Sequence, residues 1–479
     1  MTHAASILSQ VNAYILQENL CLSKIAKKAE VNAGTLSSIF NKNKVFTIDQ
    51  LDRLTAVMNL PEGHFYEQYI VDYLNGATPN WRRIRPFLYR CAELDKYDCI
   101  TKVLSLLMEN LMYAPLLFEA AEYFFLSGQN EAAKLLYESV AESEKHQHSE
   151  RLALCQYRLF LIKLGNDQVQ NQHAAIQFEP FVERLDEIDQ LDALKDLANL
   201  YRSLRQWDKL EIIAKRLEEK ARVYYFSECK SNSKDNTRKN SRPIFAYLAY
   251  SYLLQGNVYE SRRQYDLALQ YASIYVDLDW VMEKDEDTLY WKSLFQEWAA
   301  ANIYVAKLFS GDESILPDYV DYFETREHEI LISLMNIVEA ANRCNYNVDA
   351  ILQRFTSKIT LYLENQDTNP FYSSHTISDI TTNLTNELAD YYLRSKKYEI
   401  GFNYLLICLE KSSKNNDKSS IIKCVGLYER YKDKAAYEVV YTYQNLINEV
   451  YENEKKVNLS SADVQSISSI HQSTSNYNW

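Results

Sequence analysis

The sequence predicts an all-α protein, with a small N-terminal domain of packed helices followed by a long array of helical hairpins. Nine glycines and eight prolines in 479 residues are too few for a chain built of sheets and tight turns. Most of the 38 tyrosines stand at helical spacing beside Leu and Ala, where their rings can pack between helices. A third observation is that one set of spacings between small and aromatic residues repeats along the chain, which indicates that the helices pair in a regular way.

Residues 22–44 are predicted to form two short helices joined by a tight turn. The turn falls at Glu30-Val31, where a left-handed backbone at Glu30 would cost about 1 kcal/mol. Asn32 follows the turn and is expected to cap the second helix by accepting a bond from a free backbone N–H. The apolar stripes of the two helices are formed by Ile25, Ala26, Ala29, Leu36, Ile39 and Phe40. This pattern predicts a helix-turn-helix.

The same segment resembles the lambda-repressor-like (XRE-type) DNA-binding domains, over roughly residues 6–74. The residues that carry the resemblance are Leu22, Ile25, Ala26, Ala29, Val31, Asn32, Thr35, Leu36, Ser37, Ile39, Phe46, Thr47, Leu51, Leu54 and Leu60. The sequence departs from the family at Glu30, a position that is usually glycine, and at Phe40 and Lys42, which replace a polar pair. The resemblance implies that the amino end of the second helix enters the major groove and reads base edges.

The expected DNA-binding surface combines small side chains with flanking lysines. Ala33, Gly34 and Ser38 cannot make bidentate base contacts, so phosphate contacts should dominate. Between residues 19 and 45, five lysines stand against one acid in a chain of formal charge −13. The predicted contact residues are Lys24, Lys27, Lys28, Asn32, Ala33, Gly34, Thr35, Ser37, Ser38, Asn41, Lys42 and Lys44. The alternative is a degenerate helical head that serves dimerisation.

Composition predicts a cytoplasmic protein that does not enter a membrane. No apolar run approaches 18 residues, and no signal-type segment opens the sequence. The eight cysteines are scattered without a Cys-x-x-Cys pair, as expected for free thiols in a reducing compartment. The net negative charge confines the expected nucleic-acid contact to the basic head.

Beyond residue 86, steps of three, four, five, four and three residues return between small and aromatic side chains. The good copies begin at Ala121-Phe124, Ala198-Tyr201, Ala249-Tyr252 and Ala389-Tyr392. In the third copy, the full set is Ala249, Tyr252, Gly256, Ser261, Tyr265 and Ala268. Weaker copies begin at Leu88 and Val425, and degenerate ones are expected at 149–185, 289–323 and 330–363. The middle step is expected to span a short turn between two helices.

These steps resemble the tetratricopeptide repeat, a helical hairpin of about 34 residues. The resemblance implies a right-handed α-solenoid with an extended concave face, and the alternative is a globular bundle of unrelated helices. The predicted segments are a helix-turn-helix domain at 1–75, a hinge at 76–86, a repeat domain at 87–457 and a polar tail at 458–479. Polar interruptions at 227–242, 364–376 and 412–420 are expected to be loops.

Enzyme chemistry is not expected. The sequence contains no Gly-x-Gly, Walker-type or nucleophile-elbow pattern, and nine scattered glycines leave little room for a phosphate cradle. His146 and His148 form the one close histidine pair, in a charged stretch without cysteines, and predict no metal site. We therefore expect no cofactor.

A DNA-binding head followed by tetratricopeptide-like repeats resembles the peptide-pheromone receptors of Gram-positive bacteria, the RNPP group. The resemblance implies a quorum-sensing transcription regulator, in which a short linear peptide on the concave face alters the grip of a homodimer on a palindromic operator. The dimer contact is expected in the C-terminal repeats, and the alternative is that the tyrosines there only pack against the preceding repeat. The candidate contact residues are Tyr428, Tyr431, Tyr437, Val440 and Tyr441. Two alternatives remain open, a regulator controlled by a protein partner and an interaction scaffold whose head does not bind DNA.

The peptide is expected to be held by asparagines, because an amide side chain can both donate to and accept from one peptide unit. Three of them directly follow a small alanine of a predicted first helix, at Asn199, Asn302 and Asn342. Arg202 lies one turn beyond Asn199 and is expected to hold a terminal carboxylate. The candidate peptide-binding residues are Asn199, Arg202, Tyr250, Asn302, Asn342 and Asn386. The alternative is that these are ordinary polar residues on solvated helix faces.

Overall fold

The structure is a computed structural model, and it confirms the all-α class over the residues it describes. These are 6–41, 44–75, 79–108, 110–147, 149–228, 241–364, 374–453 and 455, and no strand occurs among them. No helix within these ranges is long and apolar enough to cross a membrane. The polar tail, Lys42, His148 and most of the loops expected at 227–242 and 364–376 lie outside the described residues.

The chain divides into two compact units. Unit 1 comprises Met1–Ile162 and Pro180–Asp186, and unit 2 comprises Lys163–Glu179 and Glu187–Trp479. The first ten helices are α1 Ile7–Gln17, α2 Leu22–Lys28, α3 Ala33–Phe40, α4 Ile48–Val57, α5 Tyr66–Tyr69, α6 Trp81–Glu93, α7 Tyr97–Leu107, α8 Ala114–Leu126, α9 Asn130–Ser143 and α10 Glu150–Lys163. A π-helical turn, Ile70–Leu74, continues α5.

Local signals in the sequence define α2, α3 and α4. Glu30 has φ of 51°, the left-handed backbone expected for the turn between α2 and α3. The Asn32 side chain accepts from Thr35 N at 3.1 Å and caps α3 as predicted. At the start of α4, the Thr47 and Gln50 side chains each accept from the other's backbone N–H and form a capping box.

The segment expected as a hinge at 76–86 is helical from Trp81 onwards. The Asn80 side chain accepts from Arg82 N at 3.0 Å and caps α6, while Ile84 is buried. One turn further along, Phe87 stacks on Tyr69 with ring centroids 5.4 Å apart. Because α6 shares a core with the residues before it, the boundary expected near residue 75 lies inside unit 1.

Unit 2 continues as a succession of helices. They are α11 Gln168–Phe178, α12 Glu187–Ser203, α13 Trp207–Glu228, α14 Ile244–Ser261, α15 Tyr265–Val276, α16 Glu286–Phe309, α17 Leu316–Glu324, α18 Ile330–Cys344, α19 Asp349–Arg354, α20 Thr356–Glu364, α21 Ser374–Arg394, α22 Tyr398–Lys414, α23 Lys418–Tyr431 and α24 at 437–453. From α12 to α16 each helix packs on the next, and the same holds from α21 to α23, while α18 packs on α21. The short connections bring neighbouring helices side by side as hairpins.

The turn residues correct the register of one predicted repeat. Arg205, Arg263 and Lys396 have positive φ between paired helices, so they mark equivalent positions. Gly256, which the sequence placed at the start of the step that spans a turn, lies inside α14, where a Cβ added to it would lie 3.6 Å from Tyr271 Cβ. The copy therefore begins at Gly256 rather than Ala249. Seven residues are almost two helical turns, so the pattern of small and aromatic side chains repeats and cannot alone locate the turn.

Two glycines in unit 2 allow a matched test of this packing. A Cβ at Gly401 would lie 2.7 Å from Leu393 Cγ and 2.9 Å from Leu393 N, whereas one at Gly426 would meet nothing within 4 Å. We expect Gly401→Ala to lower the free energy of unfolding by about 1–3 kcal/mol because α21 and α22 must separate. Gly426→Ala should raise it by about 0.5–1 kcal/mol through helix propensity. Urea denaturation of both variants checks this, and shifts of the same sign would contradict the α21–α22 contact.

Candidate functional site

Four of the five basic side chains predicted for the head are described and exposed in unit 1. Lys24, Lys27 and Lys28 lie on α2, and Lys44 follows α3. None of these four has a carboxylate within ion-pair distance among the residues that the structure describes. Their charges are therefore free for an external anion, while Lys42 lies outside the described residues.

The amino end of α3 is open to solvent but offers few polar groups. Ala33 and Gly34 are exposed, as is Asn41 just beyond the helix. The half-buried Ser38 already donates its hydroxyl to Gly34 O at 2.9 Å, and Asn32 uses its side-chain oxygen as the cap. The two remaining predicted contacts are half-buried Thr35 and Ser37. These contacts favour a surface that binds phosphates more strongly than it discriminates bases.

In unit 2, the first helix meets a turn near the other end of the chain. Gln168 N donates to Asn415 O at 2.8 Å, and Asn416 Nδ2 donates to Asp167 Oδ2 at 2.5 Å. The interruption expected as a loop at 412–420 is therefore a short turn, because α22 runs to Lys414 and α23 begins at Lys418. This contact joins residues almost 250 positions apart in sequence.

The predicted peptide-binding asparagines contact groups on neighbouring helices. Asn199 Oδ1 accepts from the Tyr250 hydroxyl, which joins α12 to α14. Asn302 Nδ2 donates to the Tyr275 hydroxyl at 2.7 Å, so this asparagine is engaged by α15. Asn342 Nδ2 donates at 2.9 Å to both the backbone oxygen and Oε2 of Glu387. Of the three partners, the sequence predicted Tyr250 as a site residue, but not Tyr275 or Glu387.

The three asparagines do not share one repeat position, contrary to the prediction. Asn199 stands six residues before the turn residue Arg205, whereas Asn342 stands three before Asn345. Asn302 stands nine before Gly311. The three distances from the turn residue thus differ in steps of three residues, which is about one helical turn. An adjacent alanine indicates which side of the helix is buried, but it does not indicate the position along the helix.

Counting from the turn residues identifies a different shared position. Arg202, Glu260 and Asn342 each stand three residues before a turn residue with positive φ. The correct register was the signal that could have revealed Glu260. Asn386, also predicted, is buried on α21, 4% exposed, beside the buried thiol of Cys408.

A charged surface connects these positions, and we call it the inner face of unit 2. Its members interact electrostatically across α12, α14, α18, α21 and α23. They are Arg202, Arg205, Glu260, Glu339, Arg343, Asp379, Glu387 and Lys423. Of these, the sequence predicted Arg202 alone, because the others are brought together by helices distant along the chain.

One end of the inner face is basic. Arg202 in the last turn of α12 and Arg205 in the turn that follows lie within electrostatic range of Asp379 on α21. Burial raises the pKa of Asp379 to about 6. The carboxylate of Asp417 also raises this pKa, whereas the two arginines lower it. Lys423 is exposed on α23 and also interacts with Arg205. An anionic group would be attracted to this end.

The other end carries three carboxylates, Glu260, Glu339 and Glu387, which we call the carboxylate wall. Burial raises the pKa of Glu260 to about 7, with a further contribution from Glu339. Burial likewise raises the pKa of Glu387, although the hydrogen bond from Asn342 lowers it in part. Arg343 pairs with Glu339 at 2.5 Å. The wall therefore holds more negative charge than its arginine neutralises.

Glu260 should make stability depend on pH. Its pKa is raised from the ordinary 4.5 to about 7 in the folded protein, so the folded state binds this proton more tightly and stability falls as pH rises between those values. Allowing for the solvent that still reaches Glu260, we expect Glu260→Gln to stabilise by about 1–2 kcal/mol at pH 8 and hardly at pH 5. Urea denaturation at both pH values checks this. Exposed Glu399→Gln is the control, and an equal effect at both pH values would contradict it.

No group of three or more His, Cys, Asp or Glu side chains suited to a metal ion occurs among the described residues. Comparison with known proteins gave no match, either to a protein-family model or to a curated protein. The functional argument therefore depends on the two surfaces described above.

Proposed function

We propose that this protein is a DNA-binding transcription regulator whose repeat region binds a short linear peptide, in the manner of the RNPP group. On this proposal, residues 6–74 act as a lambda-repressor-like head and the hairpins of unit 2 act as a right-handed tetratricopeptide-like solenoid. The observation that carries the proposal is the occurrence, in one chain, of an unpaired lysine cluster beside an exposed helix N-terminus and a separate polar inner face.

The lysine cluster supports binding of a polyanion. A chain with formal charge −13 repels nucleic acid on average, so four exposed lysines without carboxylate partners form a local exception. Three of them lie on α2, which precedes α3, and Lys44 follows the carboxyl end of α3. The free backbone N–H groups at the amino end of α3 add to the attraction for phosphate. A helix in the major groove with lysines on either side would place them along the two phosphate backbones.

The inner face supports binding of an extended, doubly charged ligand. Its basic end around Arg202 and Arg205 suits a terminal carboxylate, and the amide of Asn199 suits a peptide unit. The core of a protein–protein interface is depleted of charged residues, whereas this face is lined by them. A short peptide in the cytoplasm is therefore the ligand class that we propose.

A homodimer is the third part of the proposal. Tyr428, one of the predicted contacts, is buried against Tyr443, with stacked rings 3.5 Å apart. Tyr437 and Tyr441 on α24 are 83% and 60% exposed, so they are available to a second copy. We expect Tyr437→Ser/Tyr441→Ser to raise the dimer dissociation constant about tenfold or more by removing aromatic contact area. Sedimentation equilibrium checks this, with exposed Tyr290→Ser as the control, and an unchanged dissociation constant would place the contact elsewhere.

The DNA-binding part can be tested without knowing the operator. Full-length protein is mixed with sheared DNA from its source organism, including the region upstream of its own gene, and retained fragments are sequenced. We expect a small set of fragments that share a palindromic sequence. If no fragment is retained at low salt, the proposed DNA-binding function is rejected and the alternative of an interaction scaffold remains.

A further inference from the structure

We propose that Glu260, Glu339 and Glu387 form a cation-binding subsite that receives an ammonium or guanidinium group of the bound peptide. This inference rests on the proposed peptide binding and adds the chemical class of the ligand. It also gives the ligand a direction, because the basic end of the inner face lies at α12 and the carboxylate wall lies on α14, α18 and α21.

The first observation is the shortage of cations at the carboxylate wall. Arg343 is held in place by Glu339, by the Tyr265 hydroxyl at 2.9 Å and by the Phe309 ring, whose centroid lies 4.7 Å from the guanidinium carbon. Its ion-pair partner is Glu339, and Glu260 lies within its electrostatic range without pairing with it. Glu260 and Glu387 have no ion-pair partner in the part of the chain that the structure describes, and Lys423 faces Glu387 from α23 beyond ion-pair distance.

The second observation is an unpaired acceptor beside these carboxylates. Asn342 is 8% exposed, and its Nδ2 is occupied by Glu387. Its Oδ1 is buried and has no hydrogen-bond partner among the described residues. A buried acceptor without a donor costs about 1–3 kcal/mol, which a donor on the ligand would relieve. Carboxylates and an amide oxygen together present acceptors and lack donors, which is the complement of an ammonium or guanidinium group.

Other ligand chemistries fit this arrangement poorly. A phosphate or an acidic side chain would add negative charge to carboxylates that already repel one another. An apolar side chain would bury the same carboxylates without giving them a donor. A cation instead favours the ionised form of each carboxylate and replaces water as its hydrogen-bond partner. With a terminal carboxylate near Arg202, the cationic group belongs toward the amino end of the peptide.

The test uses the full-length protein and three synthetic hexapeptide libraries with random positions. The first has free amino termini and all residue types, the second is N-acetylated and the third is N-acetylated and lacks Lys and Arg. Retained peptides are identified by mass spectrometry after size exclusion. We expect at least tenfold fewer retained peptides from the third library than from the first. The second library separates the two possible cations, because its peptides contain Lys and Arg side chains but have no terminal ammonium group.

Variants link the selectivity to the carboxylate wall. Glu260→Gln/Glu387→Gln should remove the preference for cations while preserving the helical circular dichroism, and Glu387→Gln alone should reduce it. Exposed Glu399→Gln on α22 should leave it unchanged. Equal retention from all three libraries by the parent protein would overturn the cation-binding subsite but keep peptide binding. Retention from none would overturn the proposed peptide sensing and this inference with it.

Discussion

Raising the salt concentration from 50 to 200 mM is expected to weaken DNA binding by about 250- to 1000-fold per head. The reason is that about five lysines would each neutralise one phosphate, so log K should fall against log salt with a slope of about −4 to −5. Among them, Lys24, Lys27, Lys28 and Lys44 are exposed without carboxylate partners in the described structure, so no internal ion pair must break first. Fluorescence anisotropy at several salt concentrations, with a retained operator fragment, measures the slope.

A charge reversal in the head should act on all DNA sequences equally. Lys28→Glu is expected to weaken operator and random DNA by the same factor and to reduce the salt slope by about 1. Lys284→Glu is the matched control, because Lys284 is also exposed but belongs to unit 2. Ser38→Ala should relax sequence preference only if Ser38 exchanges its bond to Gly34 O for a base. A slope near zero would reject DNA binding through phosphates.

The ends of α2, α3 and α4 could be predicted in detail because the contacts that define them are local. The Asn32 cap spans three residues and the Thr47–Gln50 box spans three, so the sequence contains both partners side by side. The left-handed Glu30 lies at the turn that the apolar stripes of α2 and α3 define. Such short-range features follow from propensity and capping chemistry alone.

The register of the repeats could be predicted only in part. Small and aromatic residues recur every three or four positions in α14, so Ala249 and Gly256 fit one pattern equally well. What distinguishes them is the turn at Arg263, where an arginine adopts positive φ without a glycine to signal it. A turn without glycine or proline leaves no composition signal, and the packing of α14 against α15 determines where the helix ends.

The inner face was largely beyond prediction because its residues are distant in sequence. Arg205 comes within electrostatic range of Asp379, and Lys423 within that of Glu387, only after many intervening helices have packed. A glutamate on a helix face is ordinarily expected to be solvated, so the sequence offered no reason to select Glu260 as a site residue. Its environment depends on Glu339, which approaches from α18. Long-range packing thus converts ordinary surface charges into a candidate binding site.

Peptide binding is expected to raise the melting temperature, and loss of the Asn199–Tyr250 pair is expected to abolish most of that shift. A retained library peptide at 1000 times its dissociation constant should stabilise by about 4 kcal/mol. Asn199→Ala alone would leave the Tyr250 hydroxyl without its acceptor, so the decisive variant is Asn199→Ala/Tyr250→Phe, which removes both partners. If Asn199 turns to the peptide, the variant should bind about a hundredfold more weakly because two hydrogen bonds to one peptide unit are lost.

Differential scanning calorimetry with and without the peptide separates binding from folding. The double variant should melt near the parent temperature without peptide, since it leaves no unpaired buried group. Tyr250→Phe alone is the matched control, because it frees the Asn199 amide and should keep most of the shift. Asn302→Ala extends the test to α16, where the amide holds the Tyr275 hydroxyl instead. Parent-like binding by both asparagine variants would reject the asparagine clamp, whatever else on the protein holds the ligand.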